Sequence, residues 1–257
     1  MISKQITQYR YDALIKEQEK LNEDLDDYIW QIQLQIGAQL EQVIVLSDDQ
    51  KRLDSIKREC KKICLSNESN YAKAYNVGKE MAQGKILLFM TDRILPVSLK
   101  TYFELESWAV HPEIGLVGPK IIYKNKKINS LGIAINKQKP VSILHGYSDN
   151  SGILTEFGTT SWYRNVNAMD YHCFAIEKKK YKEIGGFDEN RRELAMLDFC
   201  LRARQLYRNL INPFAIVQYN EDYAEYIDEK CKREYNQIFN EYNMPNVDMY
   251  YNVELLK

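Results

Sequence analysis

The side chains best suited to chemistry lie in two short polar stretches, each of which directly follows an apolar run. One stretch is SDD, residues 47–49, and the other is TDR, residues 91–93. Carboxylates bind hard divalent cations and take up protons, and a guanidinium group binds phosphate. The first candidates for a ligand site are therefore Asp48, Asp49, Asp92 and Arg93.

The segments around these stretches alternate between strand and helix patterns. Short apolar runs, some rich in β-branched residues, predict three strands in "QVIVLSDD", "KKICLSN" and "GKILLFM". In the two segments between them, apolar residues recur at the spacing of a helix. Gly84 is the predicted stop of the second helix. Alternation of this kind predicts a parallel sheet with helices on its faces. Because ligands bind beyond the carboxyl ends of such strands, SDD and TDR should meet in one crevice.

The second half of the chain has a different pattern. Pro96 predicts the first turn of a helix. Strands are predicted for "IGLVGPKIIY", "INSLGIAI", "NAMDYHCFAI" and "PFAIVQY", with helices ending at "GGFDE" and covering "LDFCLRARQL". The stretch 136–164 lacks periodicity and is predicted to be a loop that covers substrate or meets an acceptor.

The two ends of the chain are predicted to be largely helical. Apolar residues from Leu14 to Leu40 fit one long amphipathic helix, although "WQIQLQI" also alternates as a strand would. Residues 2–10 are a candidate first strand, and "EDYAEYIDEKCKREYNQIFNEY" predicts a charged surface helix. The predicted organisation is an N-terminal segment, 1–41, a main domain, 42–220, and a C-terminal helical extension, 221–257.

Composition restricts the class of protein. Hydrophobic residues make up 45% and charged residues 28% of 257 positions, as in a globular protein, and the net charge of −1 does not favour nucleic-acid binding. No apolar run is long enough to predict a transmembrane segment. Five irregularly spaced cysteines predict reduced, mostly buried thiols. The N-terminus lacks a secretory pattern, so a cytoplasmic location is expected, with a peripheral position at the inner face of the membrane as the alternative.

Eight motifs in consistent order resemble the GT-A-type, family-2 inverting glycosyltransferases, above all the bacterial rhamnosyltransferase-like members. They span residues 42–219 and are "VIVLSDD", "NVG" with "AQGKILLFM", "VGPKI", "SLGIAI", "RNVNAMDYHC", "EIGGFDE", "DFCLR" and "PFAIVQY". The resemblance implies a single α/β domain of the GT-A type, Rossmann-like, with a mostly parallel central sheet flanked by helices. No G-x-G-x-x-G follows an early strand, which argues against a dinucleotide-dependent oxidoreductase.

The resemblance also implies a mechanism whose usual residues are altered here. Family members use Asp-x-Asp to hold a metal on the diphosphate, Glu-Asp to supply the base, and a late histidine as a further ligand. This chain has Thr91-Asp92-Arg93, Ala195-Met196 and Tyr219 at those positions. Manganese or magnesium would have Asp92 as its remaining ligand, and Arg93 could itself neutralise the diphosphate.

Two functional hypotheses follow from the resemblance. In the first, the protein transfers sugar from a nucleotide-sugar to a glycan or glycoprotein in bacterial surface polysaccharide or glycoprotein synthesis. Glu193, Asp198 or Asp170 would then be the base, and Asp170 and His172 would lie on the acceptor side. In the second, the chain is an inactive GT-A-fold module that binds an acceptor or a partner glycosyltransferase.

Each candidate residue also has a purely structural interpretation. Asp48, Asp49 and Asp92 are suited to capping the turns that follow their strands, and Asp198 to capping or orienting its helix. Arg93 could be a solvated surface charge. His172, between Tyr171 and Cys173, has the surroundings of a core histidine whose hydrogen bonds are satisfied.

Overall fold

The computed structural model describes residues 11–16, 25–37, 40–66, 69–149, 158–219, 229–246 and 248–251. Its strands are β1 (Tyr11–Lys16), β2 (Leu40–Ser47), β3 (Lys61–Cys64), β4 (Ile86–Thr91), β5 (Ile94–Pro96), β6 (Ile114–Tyr123), β7 (Ile128–Ser130), β8 (Ile133–Ile135), β9 (Pro140–Ser142), β10 (Arg164–Val166), β11 (Cys173–Glu177) and β12 (Arg208–Tyr219). Its helices are α1 (Leu25–Ile36), α2 (Gln50–Ser55), α3 (Tyr71–Met81), α4 (Thr101–Ala109), α5 (Lys178–Ile184), α6 (Ala195–Ala203) and α7 (Glu229–Glu241), and a 3-10 helix spans Glu189–Leu194.

The main sheet has the order β10-β12-β6-β11-β4-β1-β2-β3, with β5 and β7 added at its sides. Strands β3, β2, β1 and β4 are mutually parallel, whereas β11 runs antiparallel to both of its neighbours, β4 and β6. Strand β12 is again parallel to β6. The predicted α/β architecture, a central sheet flanked by helices, is confirmed. The sheet is mixed, since β5, β7, β10 and β11 run opposite to the other six strands described. Its parallel part must be covered by helices on both faces.

Alternating side chains of the central strands form two separate cores. In β2, Ile44 and Leu46 join the core on one face, while Val43 and Val45 join the core on the other. The same period of two divides the residues of β4 between the two faces. Helices α3, α6 and α7 contribute to the first core, and α1, α2 and α4 contribute to the second.

The predicted long N-terminal helix is wrong in its first part. Leu14 lies in β1, the central strand between β2 and β4, and Leu40 begins β2. Helix α1 covers only Leu25–Ile36, so "WQIQLQI" is helical, and Gly37 follows it with a positive φ of 64°. A six-residue strand is too short for its periodicity to show, and pairing with two neighbours decides its state. The strand predicted for residues 2–10 lies outside the described residues.

Pro96 does not begin a helix. It ends β5, where it pairs with Val217 of β12, and α4 begins at Thr101. A short strand at the side of a sheet accepts proline because the missing N–H is not needed there. The stretch "INSLGIAI" is divided into β7 and β8, "NAMDYHCFAI" is a strand only from Cys173 onwards, and the predicted loop 136–164 contains β9. The predicted C-terminal helix is present as α7, whose Tyr235 and Ile238 add to the core. Residues 221–228 of that prediction lie outside the described residues.

Two further sequence-based expectations concern the thiols and membrane segments. Of the four cysteines whose side chains are described, all are free, but only Cys173 and Cys200 are buried. Cys64 is exposed. Within the described ranges, no helix combines the length and apolar character needed to cross a bilayer.

Candidate functional site

The carboxyl ends of β2 and β4 lie at the same level of the sheet. Lys16 of β1 pairs with Leu46 of β2 on one side and with Thr91 of β4 on the other. Ser47 and Asp92 each directly follow one of these paired residues, so SDD and TDR lie at one edge, as the parallel order predicts. We call this edge the strand-end crevice.

Within SDD, Asp49 has a structural role. Its Oδ1 accepts hydrogen bonds from the backbone N–H groups of Lys51 (2.9 Å) and Arg52 (3.3 Å), and so it caps α2. Its own N–H donates to Ser47 Oγ at 2.9 Å. Asp48 is exposed at the mouth of the strand-end crevice. Of the two predicted nucleotide-binding carboxylates, Asp48 is therefore the one without a capping role in α2.

Within TDR, Asp92 is completely buried. Nη2 of Arg52 approaches its Oδ2 to 4.0 Å, and the Arg52 side chain keeps 27% of its surface accessible. A buried carboxylate is stable only beside a cation or hydrogen-bond donors. Arg93 is half-buried beside this pair. The sequence motif therefore contributes one buried carboxylate that lies beside an arginine from α2.

These residues do not fit a divalent cation. Among the residues whose structure is described, no three His, Cys, Asp or Glu side chains group together as metal ligands. A cation at Asp92 would lie close to the guanidinium of Arg52, and the repulsion would oppose its binding. The position that resembles a late histidine ligand is Tyr219, which offers no carboxylate or imidazole.

His172 is bonded to the end of β4. Its Nδ1 lies 2.8 Å from Thr91 Oγ1, and the Thr91 N–H donates to the His172 carbonyl at 2.9 Å. The His172 N–H donates to Asp170 Oδ1, and its ring lies 5.0 Å from that of Tyr219. His172 is buried, as a core histidine with satisfied bonds would be, yet it lies at the strand-end crevice. Both acceptor-side candidates therefore adjoin TDR.

Tyr71 connects the segment around the predicted base Glu193 to the turn before β11, which carries His172. The Tyr71 hydroxyl accepts from the Met196 N–H (2.7 Å) and donates to the Glu193 carbonyl (3.3 Å). Its ring stacks on Tyr171, with centroids 4.1 Å apart. Burial raises the pKa of Tyr71 well above its usual range, so its hydroxyl remains protonated. The segment that carries Glu193 is thus tied to the turn that carries His172.

The two predicted bases are in different environments. Glu193 lies in the 3-10 helix with an exposed side chain. Asp198 is buried, and its Oδ2 accepts hydrogen bonds from Nε (2.9 Å) and Nη2 (2.8 Å) of Arg202. Its Oδ1 accepts from the Tyr242 hydroxyl at 2.7 Å. The Oδ1 contact therefore connects α6 to the segment after α7, whereas the Oδ2 contacts stay within α6.

A groove of about 470 Å³ lies elsewhere, between α3 and α5. Its lining includes Asn76, Gly185 and Gly186 but none of the residues of SDD or TDR. The Asn76 side chain accepts from the Tyr181 hydroxyl and the Phe187 N–H, and donates to the Phe187 carbonyl. These hydrogen bonds connect α3 to α5 and to the segment after α5, so the polar side chain of Asn76 in the groove has a structural role.

Sequence reasoning missed two members of this site, Arg52 and Tyr71. Arg52 belongs to no recognisable motif, and the available signal was its place on the helix directly after SDD. Tyr71 opens α3, 122 positions before Glu193, and nothing in the local pattern connects the two.

No protein-family model matches the chain. Two known bacterial proteins have related sequences. The O-antigen biosynthesis protein RfbC of Myxococcus xanthus is 27% identical over 128 residues, which cover 50% of this chain and 10% of that protein. The uncharacterized protein y4gI of Sinorhizobium fredii is 23% identical over 161 residues, which cover 59% of this chain and 17% of that protein. The chain thus matches only a small part of each relative's length.

Two solved structures have the same fold. GalNAc-T7, solved with UDP, GalNAc and Mn2+, aligns over 91% of this chain and 50% of its own, with a TM-score of 0.64 and 15% identity. The mannosyltransferase PcManGT from Pyrobaculum calidifontis, solved with GDP-Man and Mn2+, aligns over 86% of this chain and 60% of its own, with a TM-score of 0.57 and 13% identity. The prediction of a GT-A fold is confirmed.

Proposed function

We propose that this chain transfers a sugar from a nucleotide-sugar to a glycan or glycoprotein acceptor, in bacterial surface-polysaccharide or glycoprotein synthesis. The observation that carries the proposal is the meeting of SDD and TDR at the carboxyl edge of a GT-A sheet, level with each other across β1. The O-antigen biosynthesis protein among its relatives supports the same class of product. A cytoplasmic location, at the inner face of the membrane, belongs to this proposal.

In this proposal the nucleoside diphosphate lies between the SDD stretch and TDR. Asp48 is exposed and accepts hydrogen bonds from the nucleoside, while Asp49 holds α2 in place through its cap. Arg93, which is half-buried beside Asp92, faces the diphosphate. Asp170 and His172, which precede β11 and are bonded to the end of β4 through Thr91, face the acceptor.

The transfer is a displacement at the anomeric carbon. The acceptor hydroxyl forms the new C–O bond, its proton passes to a carboxylate, and the bond to the diphosphate breaks. Glu193 is the better base because its side chain is exposed, whereas both oxygens of Asp198 accept hydrogen bonds from Arg202 and Tyr242. Asp198 acts in this scheme as a positioning residue.

The proposed transfer does not depend on manganese or magnesium. Both structural neighbours contain Mn2+, but Asp92 lies next to Arg52 and belongs to no three-ligand group among the described residues. No step of the displacement is assigned to a metal.

Titration calorimetry with the diphosphates of uridine, thymidine, guanosine and cytidine tests the proposal. We expect one of them to bind the folded protein, and the matching nucleotide-sugars then to be consumed when acceptor is added. Absence of binding by all four would contradict the proposed donor site.

A second function is favoured by one observation. The Ala195-Met196 pair, at the position that resembles the family's base motif, is buried and apolar, with exposures of 0% and 3%. A chain that binds nucleotide but consumes no donor would be an inactive module that binds an acceptor or a partner glycosyltransferase. Donor consumption by wild type decides between the two functions.

A further inference from the structure

We infer that Arg52, together with Arg93, binds the donor diphosphate and supplies the positive charge that a divalent cation supplies in metal-dependent transferases. This inference rests on the proposed function and names the group that binds its substrate. Arg52 belongs to none of the motifs recognised in the sequence. Its position follows from α2, which begins directly after the strand that ends in SDD.

Contacts of α2 with the end of β2 and with the core hold the backbone of Arg52 in place. The Arg52 N–H donates to Asp49 Oδ1, and Leu53, the next residue, is 1% exposed in the core beneath α2. Ser47 Oγ accepts from the Asp49 N–H and so connects the cap to the end of β2. The backbone that carries Arg52 is therefore fixed relative to the strand-end crevice.

The Arg52 guanidinium extends from this helix to the end of β4. Its Nη2 lies 4.0 Å from Asp92 Oδ2, and Asp92 is completely buried. The negative charge of Asp92 orients the guanidinium and lowers the cost of holding it at the rim of a protein interior. Because 27% of the Arg52 side chain remains accessible, the same group can meet a ligand in the crevice.

The chemistry of this pair suits a diphosphate better than a metal. A guanidinium is planar and permanently charged, and its N–H groups form paired, charge-assisted hydrogen bonds with phosphate oxygens. A divalent cation at Asp92 would be repelled by Arg52, whereas a diphosphate would be attracted by Arg52 and Arg93 together. Asp92 then acts as a positioning residue for Arg52 and not as a metal ligand.

The experiment is titration calorimetry of the four nucleoside diphosphates, each in the presence of EDTA and separately with Mn2+. The proteins are wild type, Arg52→Gln and the control Arg208→Gln, with folding checked by circular dichroism. Arg208 begins β12, at the amino ends of the parallel strands and so away from the strand-end crevice, and it forms an exposed pair with Glu113. Arg208→Gln therefore changes the net charge by the same amount as Arg52→Gln. If Arg52→Gln fails to fold, Arg52→Lys replaces it, because lysine keeps the charge but not the paired geometry.

We expect wild type and Arg208→Gln to bind one diphosphate in EDTA, and Arg52→Gln to bind it about tenfold or more weakly. Arg52→Lys should weaken binding by about half as much as Arg52→Gln does, measured on a logarithmic scale of affinity. Binding by wild type only with Mn2+ would overturn the inference and leave the proposed function intact, as would equal affinity in Arg52→Gln. Absence of binding under both conditions would overturn the inference and the proposed function together.

Discussion

The imidazole Nδ1 of His172 lies 2.8 Å from Thr91 Oγ1, and this contact joins the turn before β11 to the end of β4. The two residues are 81 positions apart in the chain. Both are buried, and a backbone hydrogen bond from the Thr91 N–H to the His172 carbonyl runs beside the side-chain contact. Two hydrogen bonds therefore hold together the two segments, around Thr91 and His172, that form a unit at the floor of the strand-end crevice.

Replacement of Thr91 tests the strength of this unit. Thr91→Val removes the hydroxyl that bonds His172 Nδ1, and we expect a loss of about 1–3 kcal/mol in the free energy of unfolding, since a buried polar atom loses this partner. Urea unfolding at neutral pH measures it. Thr91→Ser keeps the hydroxyl and is the control. Equal stability of Thr91→Val and wild type would show that the hydrogen bond to His172 contributes nothing measurable, whereas a loss in Thr91→Ser would measure only the packing of the methyl group.

The Asp198 carboxylate should matter more for stability than for catalysis. Asp198→Asn weakens its pairing with Arg202 and Tyr242, so we expect a loss of about 3 kcal/mol in the free energy of unfolding. Tyr242→Phe, which removes one hydrogen bond, should cost about 1 kcal/mol. Glu113→Gln breaks an exposed pair with Arg208 and should cost less than about 1 kcal/mol. Equal stability of Asp198→Asn and wild type in guanidinium unfolding would contradict this assignment.

Substitution of Glu193 addresses the base directly. Glu193→Gln keeps the size of the exposed side chain but cannot accept a proton, so we expect donor turnover to fall by about 10²–10⁴-fold. Turnover should fall less in Asp198→Asn, once both are compared at temperatures where each remains folded. Glu189→Gln, in the same 3-10 helix, is the control. Unchanged turnover in Glu193→Gln would exclude Glu193 as the base.

Glu106 makes the stability of the fold depend on pH. It lies in α4, is 1% exposed, and neither carboxylate oxygen has a hydrogen-bond partner among the described residues. Burial raises the pKa of Glu106 from 4.5 to about 8. The folded state holds this proton more tightly than the unfolded state does, so its contribution is complete below pH 4.5 and is lost as pH rises to about 8.

Each pH unit between the two pKa values of Glu106 removes about 1.4 kcal/mol of stability. Wild type should therefore lose on the order of 5 kcal/mol between pH 4.5 and 8 relative to Glu106→Gln, which has no proton to lose. Chemical unfolding of both proteins across this range measures the difference. Parallel pH profiles for the two proteins would show that Glu106 titrates near its ordinary pKa.

Arg192, the residue before Glu193, has a strained backbone. Its φ of 47° and ψ of −115° are conformations that favour glycine, and its side chain is exposed. Arg192→Gly relieves this strain at some cost in chain entropy, so we expect a net gain of about 1 kcal/mol in the free energy of unfolding. Arg192→Ala should give no such gain. A loss of stability in Arg192→Gly would mean that the arginine side chain stabilises the 3-10 helix.

The sequence alone determined the architecture and the edge at which the site lies. Apolar runs such as "VIVL" and "ILLFM" must be buried on both faces, so their order along the chain predicts a parallel sheet and places SDD and TDR at one edge. The helix stop at Gly185 was also predictable, because its left-handed φ of 96° favours glycine locally. These features depend on neighbours in the chain, which a sequence displays.

Only the tertiary structure decided which partners the charged and polar side chains have. Asp92 was a metal-ligand candidate from its motif, but the approach of Arg52 from α2 depends on how that helix packs. Asp198 and Tyr242 meet across 44 positions, and Leu14 is in a strand because β2 and β4 pair on both of its sides. Such contacts arise when distant segments pack together, and local periodicity carries no information about them.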